Sequence, residues 1–93
     1  MRPYELTVIF PTEEELYRPT KESVSATLKE LGGEFVKEDE LGERQLAYEI
    51  KDRMRGRYVL YVYKLPPEKV VAAEKVFKLE TNILKYLFIR AED

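Results

Sequence analysis

Gly42-Glu43-Arg44-Gln45-Leu46-Ala47-Tyr48-Glu49-Ile50-Lys51, followed by Arg57-Tyr58-Val59-Leu60-Tyr61-Val62-Tyr63-Lys64-Leu65, decides the architecture of this chain. In the first stretch apolar and polar side chains alternate from Leu46 to Ile50, the period of a half-buried strand. In the second, Val59, Tyr61, Tyr63 and Leu65 fall on one face and Tyr58, Leu60, Val62 and Lys64 on the other. Residues 51–56 between them are polar, basic and glycine-containing, and are expected to form a hairpin loop. A strand hairpin therefore occupies the middle of the chain, and the other elements must pack around it.

Working upstream, Glu34 to Lys51 reads as one long strand anchored by Phe35, with the acidic run and Leu41-Gly42 predicting a bulge or bend. Gly32-Gly33 stops a helix. Leu16, Thr20, Val24, Leu28 and Leu31 recur at helical spacing, and Thr12 to Glu15 has the spacing of a capping box. Pro19 sits inside this pattern. In a helix interior it removes a hydrogen bond at a cost of about 3 kcal/mol. Either a kink at Pro19 or a helix start near Arg18 is expected. Tyr4 to Phe10 is the first strand, with Tyr4, Leu6, Val8 and Phe10 on one face and Glu5, Thr7 and Ile9 on the other, and Pro11 ends it.

Downstream, Pro66-Pro67 stops the Arg57–Leu65 strand, and Pro67 fits the start of a second helix whose stripe is Val70, Ala73, Val76 and Phe77. Thr81-Asn82 breaks that helix. Ile83 to Arg90 reads as the fourth strand, with Tyr86 and Phe88 opposite Leu87 and Ile89. The order is β-α-β-β-α-β. Two right-handed crossovers interlock into an α+β, ferredoxin-like fold: a four-stranded antiparallel sheet with both helices on one face. The 93 residues fit one domain with one modest core.

Composition narrows the function. There is no cysteine and no histidine, which removes thiolate metal sites, disulfides and the commonest general base. No glycine-rich phosphate loop and no paired acid–base motif is present, so neither a catalytic residue, a metal ligand nor a cofactor is expected. No apolar run approaches the roughly 18 residues of a membrane span. Met1-Arg2-Pro3-Tyr4-Glu5 reads as a strand start and not as a signal peptide, so a cytoplasmic protein is expected. The net charge of −2 does not suggest a general nucleic-acid binder. Its distribution does: Lys51 to Arg57 holds four basic residues and one acid, while Glu13-Glu14-Glu15 and Glu38-Asp39-Glu40 carry the opposite sign. A basic stretch on an acidic body can bind RNA with one edge.

Two helices cover only one side of such a sheet, and the other side is ordinarily polar. Here it carries Ile9, Tyr58, Leu60, Val62, Leu87 and Ile89, an apolar patch of the kind that marks a protein-partner surface. Arg53, Arg55 and Arg57 are expected at the tip of a loop, where long side chains reach phosphates. Arg2, Lys85 and Arg90 lie at strand ends or near the sheet edge. Leu46, Tyr48 and Ile50 are assigned to the core face. The segment Arg55-Gly56-Arg57-Tyr58-Val59 begins like the octamer of RNA-recognition motifs but lacks its stacking aromatics, so single-strand base stacking is discounted.

Along nearly its whole length the chain resembles the bacterial ribosomal protein S6 family. Met1 to Glu5 looks like the usual start of that family, and Glu40-Leu41-Gly42-Glu43-Arg44-Gln45-Leu46-Ala47-Tyr48-Glu49-Ile50-Lys51 is close to its signature. Gly56-Arg57-Tyr58, the alternating strand, Leu65-Pro66 and a helix continue the match. The chain departs from the family at Pro19, in a short first loop, and at Asp93, where many members run on into a tail that helps grip a neighbouring protein. The resemblance implies a structural component of the small ribosomal subunit, monomeric when free. It would bind the central domain of the small-subunit rRNA jointly with ribosomal protein S18. The apolar sheet face is then the protein-partner surface. The rRNA-binding candidates are Arg2, Arg44, Lys51, Arg53, Arg55, Arg57, Lys85 and Arg90. Two readings from the residues alone stay open beside it: a self-associating ferredoxin-like module, and a small enzyme, the latter disfavoured by the missing histidine and cysteine.

Overall fold

The computed structural model describes residues 1–91. Its elements are β1 (Arg2–Phe10), α1 (Glu14–Glu30), β2 (Glu34–Ile50), β3 (Arg53–Leu65), α2 (Pro67–Leu79) and β4 (Lys85–Arg90). The sheet order is β2-β3-β1-β4, with every neighbouring pair antiparallel. This is the ferredoxin-like arrangement expected from the sequence. Leu6, Val8 and Phe10 of β1 and Val59, Tyr61, Tyr63 and Leu65 of β3 form the sheet side of the main core. Tyr17, Val24 and Leu28 of α1 and Ala73 and Phe77 of α2 close it from above.

α1 is one unbroken helix, without the break or late start that Pro19 suggests. Pro19 is its sixth residue and is solvent-exposed. Glu15, whose carbonyl loses its partner there, is an exposed residue, so water can satisfy it. The N-cap is Glu13, whose carbonyl accepts from Leu16 and Tyr17 at 3.0 and 2.9 Å. No capping box forms: Thr12 Oγ1 donates instead to Glu13 Oε1 at 3.4 Å. The helix ends as a Schellman motif, with Gly33 N–H donating to the Leu28 carbonyl and Gly32 N–H to that of Lys29.

The β2–β3 hairpin corrects one expectation and meets another. Its turn is only Lys51-Asp52, both with positive φ (50° and 64°), the requirement of a two-residue type I′ turn. Residues 53–56 are therefore strand, and Ile50 pairs with Arg53. The basic run alternates: Arg53, Arg55 and Arg57 share the helix-side face, and Gly56 and Tyr58 point the other way. The bend at Leu41-Gly42 is present as a bulge, since Glu40 pairs with Val59 and Gly42 with Tyr58. Gly42 has φ +87°, which a side chain would strain.

Beyond Gln45 the β2 strand leaves its register until Ile50, and this segment curls over the helix-free face. Leu46 is buried there, against Ile9 and Leu84, with Ile50 and Tyr58 partly buried around it. The signature's apolar residues thus build a second small core, on the side opposite the helices. Tyr48 belongs to neither core and is exposed. Phe35 is also exposed and meets the Tyr63 ring edge-to-face at 5.5 Å. β4 begins two residues later than the apolar pattern suggests, because Ile83 is drawn into the main core and Leu84 into the second.

Candidate partner and nucleic-acid interfaces

Strand register lays out the uncovered sheet face as a grid. Leu60, Thr7 and Leu87 stand in one row across β3, β1 and β4, and Val62, Glu5 and Ile89 in the next. Leu87 and Ile89 are 53% and 52% exposed, and Leu60 and Val62 are half-buried. Four of the six residues expected on this face therefore form an open apolar surface. Ile9 does not belong to it: Leu46 and Leu84 cover it and leave it 7% exposed. Tyr58 lies at the covered margin, half-buried, with the Arg44 guanidinium 5.7 Å from its ring centroid. Alternation placed Ile9 on the correct face, but the curl of β2 that covers it is a tertiary event.

The eight basic candidates separate into two groups. Arg53, Arg55 and Arg57 are not at a loop tip. They face the helix side of β3 and are tied to acids. Both terminal nitrogens of Arg53 reach the Glu13 carboxylate, Arg55 pairs with Glu43, and Arg57 reaches Glu14 at 2.8 Å. The Arg57 guanidinium also lies over the Tyr17 ring, 3.5 Å from its centroid. Among the described residues Arg2, Arg44, Lys51, Lys85 and Arg90 have no carboxylate within ion-pair distance. Arg2 and Arg90 gather at the sheet end where β1 begins, since Arg90 pairs with Tyr4 two residues from Arg2. Lys64 lies at the same end, opposite Pro3 and Glu34. Arg44, Lys51 and Lys85 gather at the opposite end. Lys51 Nζ donates to the Ile83 and Thr81 carbonyls at 2.9 and 3.3 Å, and Lys85 Nζ to the Tyr48 hydroxyl at 2.9 Å. That Tyr48 hydroxyl raises the Lys85 ammonium above its ordinary range.

Sequence reasoning missed two cations at these ends. Lys64 is exposed, and strict alternation along Arg57–Leu65 already put it on the open face. Lys78, with Lys51 and Lys85, lines a shallow cleft of about 400 Å³ under the end of α2. No local sequence signal brings Lys51 and Lys78 together, because their meeting depends on the hairpin's curl.

Apart from the exposed Glu15, the acidic runs are engaged by the scaffold. Lys21 bridges Glu38 and Glu40 at 3.1 and 3.4 Å, and the Tyr17 hydroxyl donates to Glu40. The Arg53 hydrogen bond holds the Glu13 carboxyl well below the usual range, at about 2. Glu14 and Glu40 are lowered likewise, first by Arg57 and by the Tyr17 hydroxyl respectively. Burial, reinforced by Glu40, pushes the Tyr17 hydroxyl up to about 12. The cleft of about 640 Å³ between α1 and β2 is walled by these paired groups together with Glu22, Ser25 and Lys29 of α1.

A split βαβ sheet with one apolar face left open, cations without acid partners at both ends and the acids at the start of α1 and in the middle of β2 largely paired within the scaffold defines a small assembly protein. The chain belongs to the ribosomal protein S6 family, whose model matches residues 3–90. It is 45% identical over 93 residues to small ribosomal subunit protein bS6 of Treponema denticola, covering all of both chains. It is 37% identical over 92 residues to bS6 of Treponema pallidum (strain Nichols), covering 99% of each. The crystal structure of 30S ribosomal protein S6 from Thermotoga maritima superposes with a TM-score of 0.89 at 25% identity, over 97% of this chain and 87% of that one. The family is one of structural ribosomal proteins and not of enzymes, and its place is the ribosome in the cytoplasm.

Proposed function

We propose that this chain acts as one domain over residues 1–93, monomeric when free. It binds the central domain of the small-subunit rRNA together with ribosomal protein S18. The observation that carries the reading is the grid of Leu60, Val62, Leu87 and Ile89, open to solvent on a sheet whose other face is packed against both helices. Apolar area of this kind is stabilised by removal from water, so a protein partner is its natural complement. The rRNA contacts fall to the cations without acid partners: Arg2, Lys64 and Arg90 at one end, and Arg44, Lys51 and Lys85 at the other. Long flexible cations at strand ends neutralise and position phosphates without reading bases. Arg53, Arg55 and Arg57 serve the scaffold first, because contact with phosphate would require exchanging an existing carboxylate partner.

The test is binding of a central-domain rRNA fragment at physiological salt, with and without S18. Retention of the fragment by the pair, and weak retention by either protein alone, is the expected result. Failure of the pair to hold the fragment would end the reading. Sedimentation of the free chain as a stable dimer would instead favour self-association through the open face.

A further inference from the structure

Glu5 is the one charged side chain inside the open grid. It stands on the central strand between Val62 and Ile89, next to Thr7, which stands between Leu60 and Leu87. Neighbouring strands lie about 4.8 Å apart, so the two apolar columns are separated by about 10 Å with the carboxylate midway. Glu5 is half-buried, and among the described residues no cation lies within ion-pair distance of it. The cations around it make no ion pair with it. Lys37, opposite Val62, is paired with Asp39 at 3.2 Å, and Lys64, one position along the same face, makes no ion pair with Glu5.

Any surface that covers the four apolar side chains also strips water from Glu5. An uncompensated buried carboxylate opposes docking, so a compatible partner brings a cation to that point. A phosphate backbone fails this condition because its charge repels Glu5 and it offers nothing to the apolar columns. A second copy of this chain docked about β1 fails too, since it would set Glu5 against Glu5. We infer that the face takes a protein surface in which one arginine or lysine, seated on Glu5, is flanked by apolar side chains lying over Leu60 and Val62 on one side and Leu87 and Ile89 on the other. Arginine suits the site better than lysine, because its fork can satisfy both carboxylate oxygens at once. Glu5 thereby sets orientation and selectivity, while the apolar columns supply the driving force.

The inference rests on the partner reading above, so S18 is the probe. Its affinity is measured by calorimetry for the full chain and for Glu5→Gln, Glu5→Asp, Glu30→Gln and the pair Leu87→Ala with Ile89→Ala, each first shown folded by circular dichroism. Glu5→Gln should weaken binding by at least about thirtyfold, while Glu5→Asp, which keeps the charge, should bind more tightly than Glu5→Gln. Glu30→Gln, an equal change in net charge at an exposed site on α1, should stay within about twofold. If Glu5→Gln binds like the parent while the Leu87 and Ile89 pair loses affinity, the apolar face stands and the ion pair is overturned. If Glu30→Gln weakens binding as much as Glu5→Gln, only long-range charge is at work and the inference is likewise overturned. A parent chain that does not bind S18 overturns the partner reading, and this pairing with it.

Discussion

Arg53 holds Glu13 with both terminal nitrogens, joining the first residue of β3 to the residue that caps α1. Arg57 repeats the link through Glu14, the next residue of the chain. The helix N-terminus, with its partial positive charge, draws in acids, and the acids in turn fix the arginines of the strand beneath. What looks in the sequence like a basic hand for RNA is largely a clasp between two elements.

The clasp gives stability a defined pH dependence. The Glu13 carboxyl ordinarily titrates at 4.5 and is held at about 2 by its hydrogen bonds to Arg53. Folding favours the deprotonated form, so the contribution is complete above the ordinary value and is lost as pH falls through the folded one. Glu14 and Glu40 are shifted in the same direction. Urea midpoints of the parent and of Glu13→Gln should differ most near neutrality and converge as the pH approaches about 2. A gap that is the same at both ends would mean the pair contributes nothing.

The division of the cations predicts a division in salt dependence. Replacing Arg2, Lys64 and Arg90 with glutamine should reduce the slope of log K against log salt for the rRNA complex by about 2, if each contacts one phosphate. Replacing Arg53, Arg55 and Arg57 should change that slope by less than about 1 and lower the unfolding midpoint instead. The reverse ordering would return the three arginines to the RNA and remove the strand-end cluster.

Element order, most strand faces and the open apolar patch are legible because they depend on local periodicity: Leu6, Val8 and Phe10 alternate, and Val24 and Leu28 lie one turn apart. The missing piece was the path of residues 46–50. Leu46 is an apolar residue at the expected parity, yet which of two cores it joins depends on how β2 curls after the bulge at Gly42, and no local period encodes that. The same curl covers Ile9, exposes Tyr48 and brings Lys51 to the carbonyls of Thr81 and Ile83. Residues 53–56 read as loop from their charge and glycine, yet they continue the alternation of β3. The intervening Gly56 is a buried strand position, and glycine there looks like a turn until its neighbour is known.

Pro19 offers a gain in stability. It occupies the sixth position of α1, where a backbone N–H would otherwise bond to the Glu15 carbonyl, and its side chain is exposed. Pro19→Ala should restore that bond and stabilise the protein by about 1–3 kcal/mol, read as a higher denaturant midpoint. An unchanged midpoint would show that water and local relaxation already satisfy Glu15.

Tyr61 is a second site where removal should help. Its ring is fully buried in the main core, and no protein group among the described residues bonds to its hydroxyl. The same burial pushes the hydroxyl's titration strongly upward. A buried hydroxyl without a partner costs about 1–3 kcal/mol, so Tyr61→Phe should be neutral or stabilising by about 1 kcal/mol. A loss of stability on thermal unfolding would instead reveal a bond made by that oxygen.

Gly56 ties the signature strand to the sheet, and its substitution should be costly in a specific way. A Cβ at this position would come within 2.5 Å of Ile9 Cγ2, 3.3 Å of the Phe10 carbonyl and 3.4 Å of Leu46 Cδ2. The first contact is impossible without movement, and Ile9 cannot simply yield because Leu46 and Leu84 hold it from the other side. Gly56→Ala should therefore lower stability by about 1–3 kcal/mol, the range for an overpacked core. Combining it with Ile9→Ala, which removes the Cγ2 methyl itself, should cost less than the sum of the two single changes, since neighbours that share one volume are not additive. Chemical unfolding of the four proteins measures the coupling. Strict additivity would show that the strand, and not Ile9, absorbs the new methyl group.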